Sequence, residues 1–296
     1  MEKIIDKLDS EIMSSSHINF LFGAGVNGRA FPQLENFVQT KDLYEKKMGK
    51  KMENFEQDLD DIGDKAKIKA IHKQFLKEFG DFAEKLDYGH KDIIDIENMF
   101  YQVNLLVSRA ENRTITMKQV NIYTLNYDEI VEHTLDKIGV LNNSVSSTNI
   151  MNNDKFFEMV GYDYGSRKYV PTYLVSKIHG DIKNPILPGK NKYDQSLEAK
   201  RFEILFKMKT QLSRINSALV VIGYSGRDNH INTLLKDCVI SGLTIYWIRF
   251  SNDQKLPEEL EKHAFVIDQK DQNFKENSTK IFTDMLRELW DTKSEK

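Results

Sequence analysis

A Rossmann-like α/β fold, with a mostly parallel sheet, helices on both faces and a helical insert, is predicted by three features of this 296-residue chain. Short β-rich apolar runs alternate with helical patterns, several of those runs lead directly into glycine-bearing or polar turns, and one long charged stretch interrupts the alternation.

In chain order, residues 1–16 mix Glu2, Lys3, Asp6, Lys7, Asp9 and Glu11 with apolar positions and read as an amphipathic helix. They lack a secretory apolar stretch. Residues 18–22 form the first strand. Between Lys41 and His90, 23 of 50 residues are charged. There Ile71, Phe75, Phe79, Phe82 and Leu86 recur at helical spacing, the mark of a solvated helical insert with one buried stripe. No proline falls between Gln33 and Val170, so long helices are permitted. Further strands are expected at 120–125, 172–178, 218–222, 244–248 and 264–267. Helices are expected at 128–138, at 197–215 with Leu205, Met208, Leu212 and Ile215 on one face, at 228–240 and at 274–290. The organisation expected is a single domain over 1–296, with the helical insert over 38–116.

Composition narrows the function classes. The chain is 40% hydrophobic and 29% charged, with 42 basic against 45 acidic residues and a net charge of −3. That is a globular balance, and it gives no electrostatic reason to bind nucleic acid. The single cysteine, Cys238, excludes an intrachain disulfide and a multi-cysteine zinc module, and fits a reducing compartment. In its helical setting, Cys238 reads as buried packing. No apolar run approaches the roughly 20 residues of a membrane span. A soluble, cytoplasmic protein with no membrane partner is expected.

Four strand-end motifs carry the chemistry, because ligands in parallel sheets bind at the carboxyl ends of strands. Gly23-Ala24-Gly25-Val26-Asn27-Gly28 is a G-x-G-x-x-G turn that lets backbone N–H groups approach a pyrophosphate, although Phe31-Pro32 interrupts the helix that should follow. A bulky residue at Gly25 is expected to block that approach and leave the fold intact. Thr124-Leu125-Asn126-Tyr127-Asp128 places an amide and a carboxylate at a strand-to-helix junction, where either could serve as a helix cap. Ile178-His179-Gly180-Asp181 puts a histidine at a strand end, expected to be partly exposed and to titrate near neutral pH. Gly223-Tyr224-Ser225-Gly226-Arg227-Asp228 nearly matches a nucleophile elbow, but Arg227 stands where the second glycine must be, and Asp228 fits a helix N-cap. The histidines form no metal-binding pair at helical spacing, so no metal is expected.

Together, and in this order, the four motifs resemble the sirtuin-like family, and within it the bacterial sirtuin-like NAD hydrolases of anti-phage defence, over about residues 17–250. The resemblance implies that Gly23, Ala24, Gly25 and Val26 cradle the NAD pyrophosphate. It implies that Asn126 and His179 are the catalytic pair, with Tyr127 and Asp128 beside them. Gly223, Tyr224, Ser225 and Asp228 would hold the adenosine side. Arg29, Phe31 and Phe37 are the candidates for capping nicotinamide. Deacylating sirtuins carry four zinc cysteines, which this chain lacks, so deacylation falls and simple NAD cleavage rises; ADP-ribosyl transfer or deacylation is the alternative enzyme reading, and the presence of both Asn126 and His179 argues against a non-catalytic NAD or ADP-ribose sensor.

The chemistry agrees with that reading. Cleaving the nicotinamide–ribose bond develops oxocarbenium character, and the leaving group is already cationic before it departs, so the site must supply position and a base rather than a strong acid. An unrestrained NAD hydrolase would harm its own cell. Control is therefore expected from a homo-oligomer and, by resemblance, from a HerA-like ATPase partner, with the charged insert as the largest surface not committed to the NAD site.

Overall fold

The computed structural model describes residues 3–53, 55–110, 112–146, 159–187, 199–250, 254–268 and 277–291. Its strands are β1 (Lys3–Ile5), β2 (His17–Phe22), β3 (Gln119–Thr124), β4 (Leu141–Val145), β5 (Gly161–Asp163), β6 (Lys168–Val170), β7 (Thr172–Lys177), β8 (Ser217–Ile222), β9 (Thr244–Ile248) and β10 (Ala264–Ile267). Eight of them form one sheet in the order β1-β10-β9-β8-β2-β3-β7-β4, and every neighbouring pair is parallel. The remaining two, β5 and β6, make a separate antiparallel hairpin.

Parallel strands covered on both sides need apolar residues at successive positions, and β2, β3, β7 and β8 are buried along their whole length. The helices are α1 (Ser10–Ser15), α2 (Val38–Met48), α3 (Phe55–Asp60), α4 (Lys65–Glu84), α5 (Lys91–Arg109), α6 (Ile130–Lys137), α7 (Ala199–Leu212), α8 (Asn229–Ile240), α9 (Glu258–Glu261) and α10 (Ser278–Asp291). On one face, Phe20 meets Phe100 of α5 and Phe282 of α10 edge-on, at ring separations of 6.2 and 5.9 Å. On the other, Leu21, Tyr123, Val221 and Trp247 share a core with Met208 and Leu212 of α7 and with Leu235 and Cys238 of α8. Cys238 is buried, and burial raises its thiol pKa.

Strand β2 opens the centre of the sheet. The strands β3, β4 and β7 fill one side of it and β8, β9 and β10 the other, so the direction of winding reverses between β2 and β8. Their carboxyl ends define a topological switch point. At the opposite end of the same strands runs a buried amide ladder. Gln119 Nε2 donates to Asn121 Oδ1 at 2.6 Å, Asn121 Nδ2 to Asn19 Oδ1 at 2.9 Å, and Asn19 Nδ2 to Ser217 Oγ at 2.9 Å.

The structure corrects several expected elements. Residues 3–15 are not one helix: β1 joins the sheet beside β10 and only the short α1 follows, capped at its start by Asp9. Strand β4 and the β5–β6 hairpin did not show as apolar runs, because half-exposed edge and hairpin strands carry polar residues such as Asn142 and Asn143. Helix α7 stops at Leu212, and Ile215, expected on its buried face, is 84% exposed. Residues 197–198 and 274–276 of the expected helices lie outside the described residues. No described helix is long and apolar enough to cross a membrane.

Candidate active site

Two glycine-bearing loops meet at the switch point. The loop after β2 makes a single 3₁₀ turn, Ala24–Asn27, with no α-helix behind it, and lies against the turn after β8. Gly23 N donates to Ile222 O at 3.1 Å and Gly25 N to Gly223 O at 3.0 Å. A Cβ on Gly223 would stand 2.1 Å from Val26 N, and one on Gly23 would stand 2.4 Å from Gly223 O. Gly223 also has φ +67°, which disfavours any side chain. A Cβ on Gly25 would stand 2.9 Å from Gly223 Cα. This corrects the expectation that a bulky residue at Gly25 would leave the fold intact, since these glycines are required first by each other's backbone.

The turn after β3 is held by side chains instead. Asn126 is buried, its Nδ2 donating to Gly23 O at 3.3 Å and its backbone N–H to Thr124 Oγ1 at 3.1 Å. Asn126 therefore does not cap a helix. Asp128 lies one residue ahead of the N-cap, Glu129: its Oδ1 accepts from Ile130 N at 3.1 Å, while Oδ2 accepts from Asn27 Nδ2 at 2.7 Å, joining this turn to the first glycine loop. Beneath them Lys177, the last residue of β7, donates to the carbonyl of Asp128 and pairs with Glu132 at 3.1 Å. Burial pushes the Asp128 and Glu132 carboxyls above the usual carboxylate range, and Lys177 opposes both shifts. Tyr127 sends its hydroxyl to Ile186 O, and its ring lies 5.8 Å from Phe79.

His179 follows β7 and is buried at 4% exposure, which corrects the partly exposed histidine expected. The cause is packing from both sides: Ile186 N donates to its carbonyl at 2.7 Å, and the ring of His230 lies 6.0 Å from its own. Asp228 occupies the N-cap position of α8, yet its carboxylate makes no capping bond to that helix. Oδ1 stands 3.9 Å from His179 Nε2. Tyr224 is buried on Trp247, its hydroxyl donating to Asn232 Oδ1 at 2.9 Å, so its side chain builds the turn after β8.

A cavity of about 860 Å³ opens over these strand ends. Of the residues singled out in the sequence, Gly23, Ala24, Gly25, Asn126, Tyr127, Asp128, His179, Gly223, Tyr224, Ser225 and Asp228 line it. Val26 does not; its side chain lies in the core beneath the loop. Arg29, Phe31 and Phe37 also line the cavity, with Arg29 exposed and both phenylalanines buried.

The charged insert is not remote from the site, contrary to expectation. Glu53, Phe55, Phe75, Phe79 and His90 line the same cavity. The ring of Phe31 lies tilted against Phe79 at 4.8 Å and that of Phe37 against Phe75 at 5.0 Å, so the apolar stripe of α4 forms one wall. Charge count hid this, because the lysines of α4 occupy its other faces, while its one buried charge, Glu78, accepts from Thr40 N and Oγ1.

The residues that sequence reasoning missed are those that hold others. Asn27 sat inside the glycine motif, and Lys177 was a lone charge ending an apolar strand, a usable signal. Asp92, in the first turn of α5, accepts from Arg29 N at 2.6 Å, and nothing in its local pattern pointed there. Among the described residues no three His, Cys, Asp or Glu side chains form a metal-binding group.

A parallel α/β sheet with paired glycine turns at its switch point, an asparagine and a histidine over one cavity, defines a nucleotide-binding class of fold. The SIR2-like domain profile matches residues 120–268, half of the chain, and the protein belongs to that family. Similar solved structures include one described as the structural basis for the mechanism and regulation of Sir2 enzymes, 13% identical over 96% of this chain and 96% of that one, with a TM-score of 0.49. A Sir2 homologue in complex with NAD is 13% identical over 96% and 93%, at 0.46. A mutant Sir2 homologue in complex with ADP-ribose is 14% identical over 98% and 99%, at 0.47. No curated protein matches the chain.

Proposed function

We propose that this chain is an NAD glycohydrolase that cleaves the nicotinamide–ribose bond with water, giving nicotinamide and ADP-ribose. The observation that carries the reading is that Asn126 and His179, from different strands, line one cavity with the glycine turns of β2 and β8. Glycine turns alone leave a bound dinucleotide intact, whereas an amide and an imidazole beside them can orient and deprotonate an attacking water.

In this reading NAD is the substrate, and its pyrophosphate lies along the loop of Gly23, Ala24 and Gly25, which lines the cavity. Ser225 and the turn after β8 take the adenosine side. The aromatic wall of Phe31, Phe37, Phe75 and Phe79 excludes water from the nicotinamide end. Asn126 orients the ribose hydroxyls or the attacking water. As the glycosidic bond breaks, the bonding electrons leave with nicotinamide and its ring becomes neutral. Water adds to the anomeric carbon and its proton passes to His179, whose imidazolium is stabilised by Asp228. The lone Cys238 cannot supply the zinc module of the deacylating enzymes.

Motif resemblance to the anti-phage group supports NAD depletion in phage defence as the biological role. It also supports a cytoplasmic homo-oligomer restrained through a HerA-like ATPase, and a single domain over 1–296 with a helical insert over 38–116.

Chromatography of NAD incubated with the purified chain tests the activity, and stoichiometric nicotinamide and ADP-ribose are expected. Asn126→Ala and His179→Ala should each lower turnover about 100-fold or more, and the double variant should fall well short of the product of the two. Near-normal turnover in a folded His179→Ala chain would reduce the histidine to packing.

A further inference from the structure

We infer that Lys177 is a positioning residue whose ammonium, buried beneath the site, fixes the turn carrying Asn126 by bonding that turn to helix α6 and to the edge strand β4. An ammonium has three protons. In this chain Nζ meets three acceptors: the carbonyl of Asp128, the carbonyl of Tyr127 at 3.5 Å, and Glu132 Oε1 at 3.1 Å. Glu132 Oε1 in turn accepts from Ser144 Oγ on β4 at 2.9 Å. One side chain thus ties the end of β7, the turn after β3, the first turn of α6 and the sheet edge. His179 lies two residues beyond it, so the same anchor sets both proposed catalytic side chains in one frame.

The arrangement is costly to bury, which argues for a purpose beyond stability. A buried ion pair contributes little net stability over apolar residues of the same shape, while its geometry is specific. The carboxylates facing this ammonium come from the turn, Asp128, and from α6, Glu132. Across from them Tyr88 feels Glu129 as well as these two. Lys177 is the cation that offsets Asp128 and Glu132. Without it, the turn loses its two carbonyl tethers and gains uncompensated charge.

The kinetic consequence rests on the proposed NAD cleavage, whereas the tethering does not, and the test separates them. Nicotinamide release by the parent chain is measured first. Lys177→Met is then compared with Lys177→Met combined with Glu132→Gln, which leaves no uncompensated Glu132 carboxylate and keeps a folded variant in hand. Hydrogen exchange read by mass spectrometry should quicken about tenfold or more in residues 125–130, with β8 and β9 unchanged. On NAD, kcat should drop about 30-fold while KM stays within about threefold, since the glycine turns that bind the pyrophosphate are untouched. Equal quickening in β8, unchanged exchange at 125–130, or a kcat within about threefold of the parent's overturns the inference. If the parent chain releases no nicotinamide, the proposed function falls and the exchange data alone decide Lys177.

Discussion

The two halves of the site are built from opposite materials. On the side of β2 and β8, backbone packs on backbone and the residues that matter have no side chain: Gly23, Gly25 and Gly223 mate so closely that a methyl group has no room. On the side of β3 and β7, backbone is held apart by buried polar side chains, with Asn27, Asp128, Lys177 and Glu132 in one network. The first half is fixed by steric exclusion, which is indifferent to pH. The second is fixed by charge, which is not. A ligand that spans both would be gripped by a rigid backbone at one end and a tunable side-chain frame at the other.

The sharpest way to break the comparison is Gly223→Ala. With a Cβ 2.1 Å from Val26 N and φ at +67°, this single methyl should cost more than about 4 kcal/mol, seen in chemical denaturation as failure to fold. A stable, native-like alanine variant would show that the loops yield. Gly25→Ala, with its nearest contact at 2.9 Å, should cost less, about 1–3 kcal/mol, and weaken NAD binding along with stability.

The smallest expected effect belongs to the charged half and concerns pH. Asp128 and Glu132 have folded-state pKa values raised above their unfolded ones, chiefly by burial. Between those values the native chain holds more protons than the unfolded chain, so their contribution to stability falls as pH rises from the ordinary carboxylate range upward. Removing the Lys177 charge raises both pKa values further. Unfolding free energy measured from pH 4 to pH 8 (about this range) should therefore decline more steeply in Lys177→Met, by at most about 1.4 kcal/mol per pH unit per carboxylate. Gly25→Ala should leave that slope as it is. Parallel slopes in the parent and Lys177→Met would remove the distinction between the halves.

Much of the fold was legible because it rests on local repetition. The central strands are continuous apolar runs and their turns carry glycine, so β2, β3, β7 and β8 fell within a residue or two of their places. Edge elements were not legible: β1 is three residues long, and β4 reads as polar because one side of it faces water. For the site, motif residues at strand ends could be named, since each is announced by its neighbours. Their supports could not. The bond from Asn27 to Asp128 joins residues 101 positions apart, and the wall formed by α4 depends on where a helix folds back, which periodicity does not encode. The burial of His179 was hidden for the same reason, because His230 and Ile186 arrive from other segments.

The amide ladder at the far end of the sheet acts on register. While the chain is folding, β2 must find β3 and β8 across separations of 102 and 198 residues, and apolar strands of this kind pair almost as well when slipped by one position. A slip turns Asn19 onto the face of Phe20 and parts it from Asn121 and Ser217, stranding amides at roughly 1–3 kcal/mol each. Misaligned pairings are therefore disfavoured against the native one. The ladder holds only in one alignment at one end of the strands, and that alignment is the one that sets Gly25 opposite Gly223 at the other.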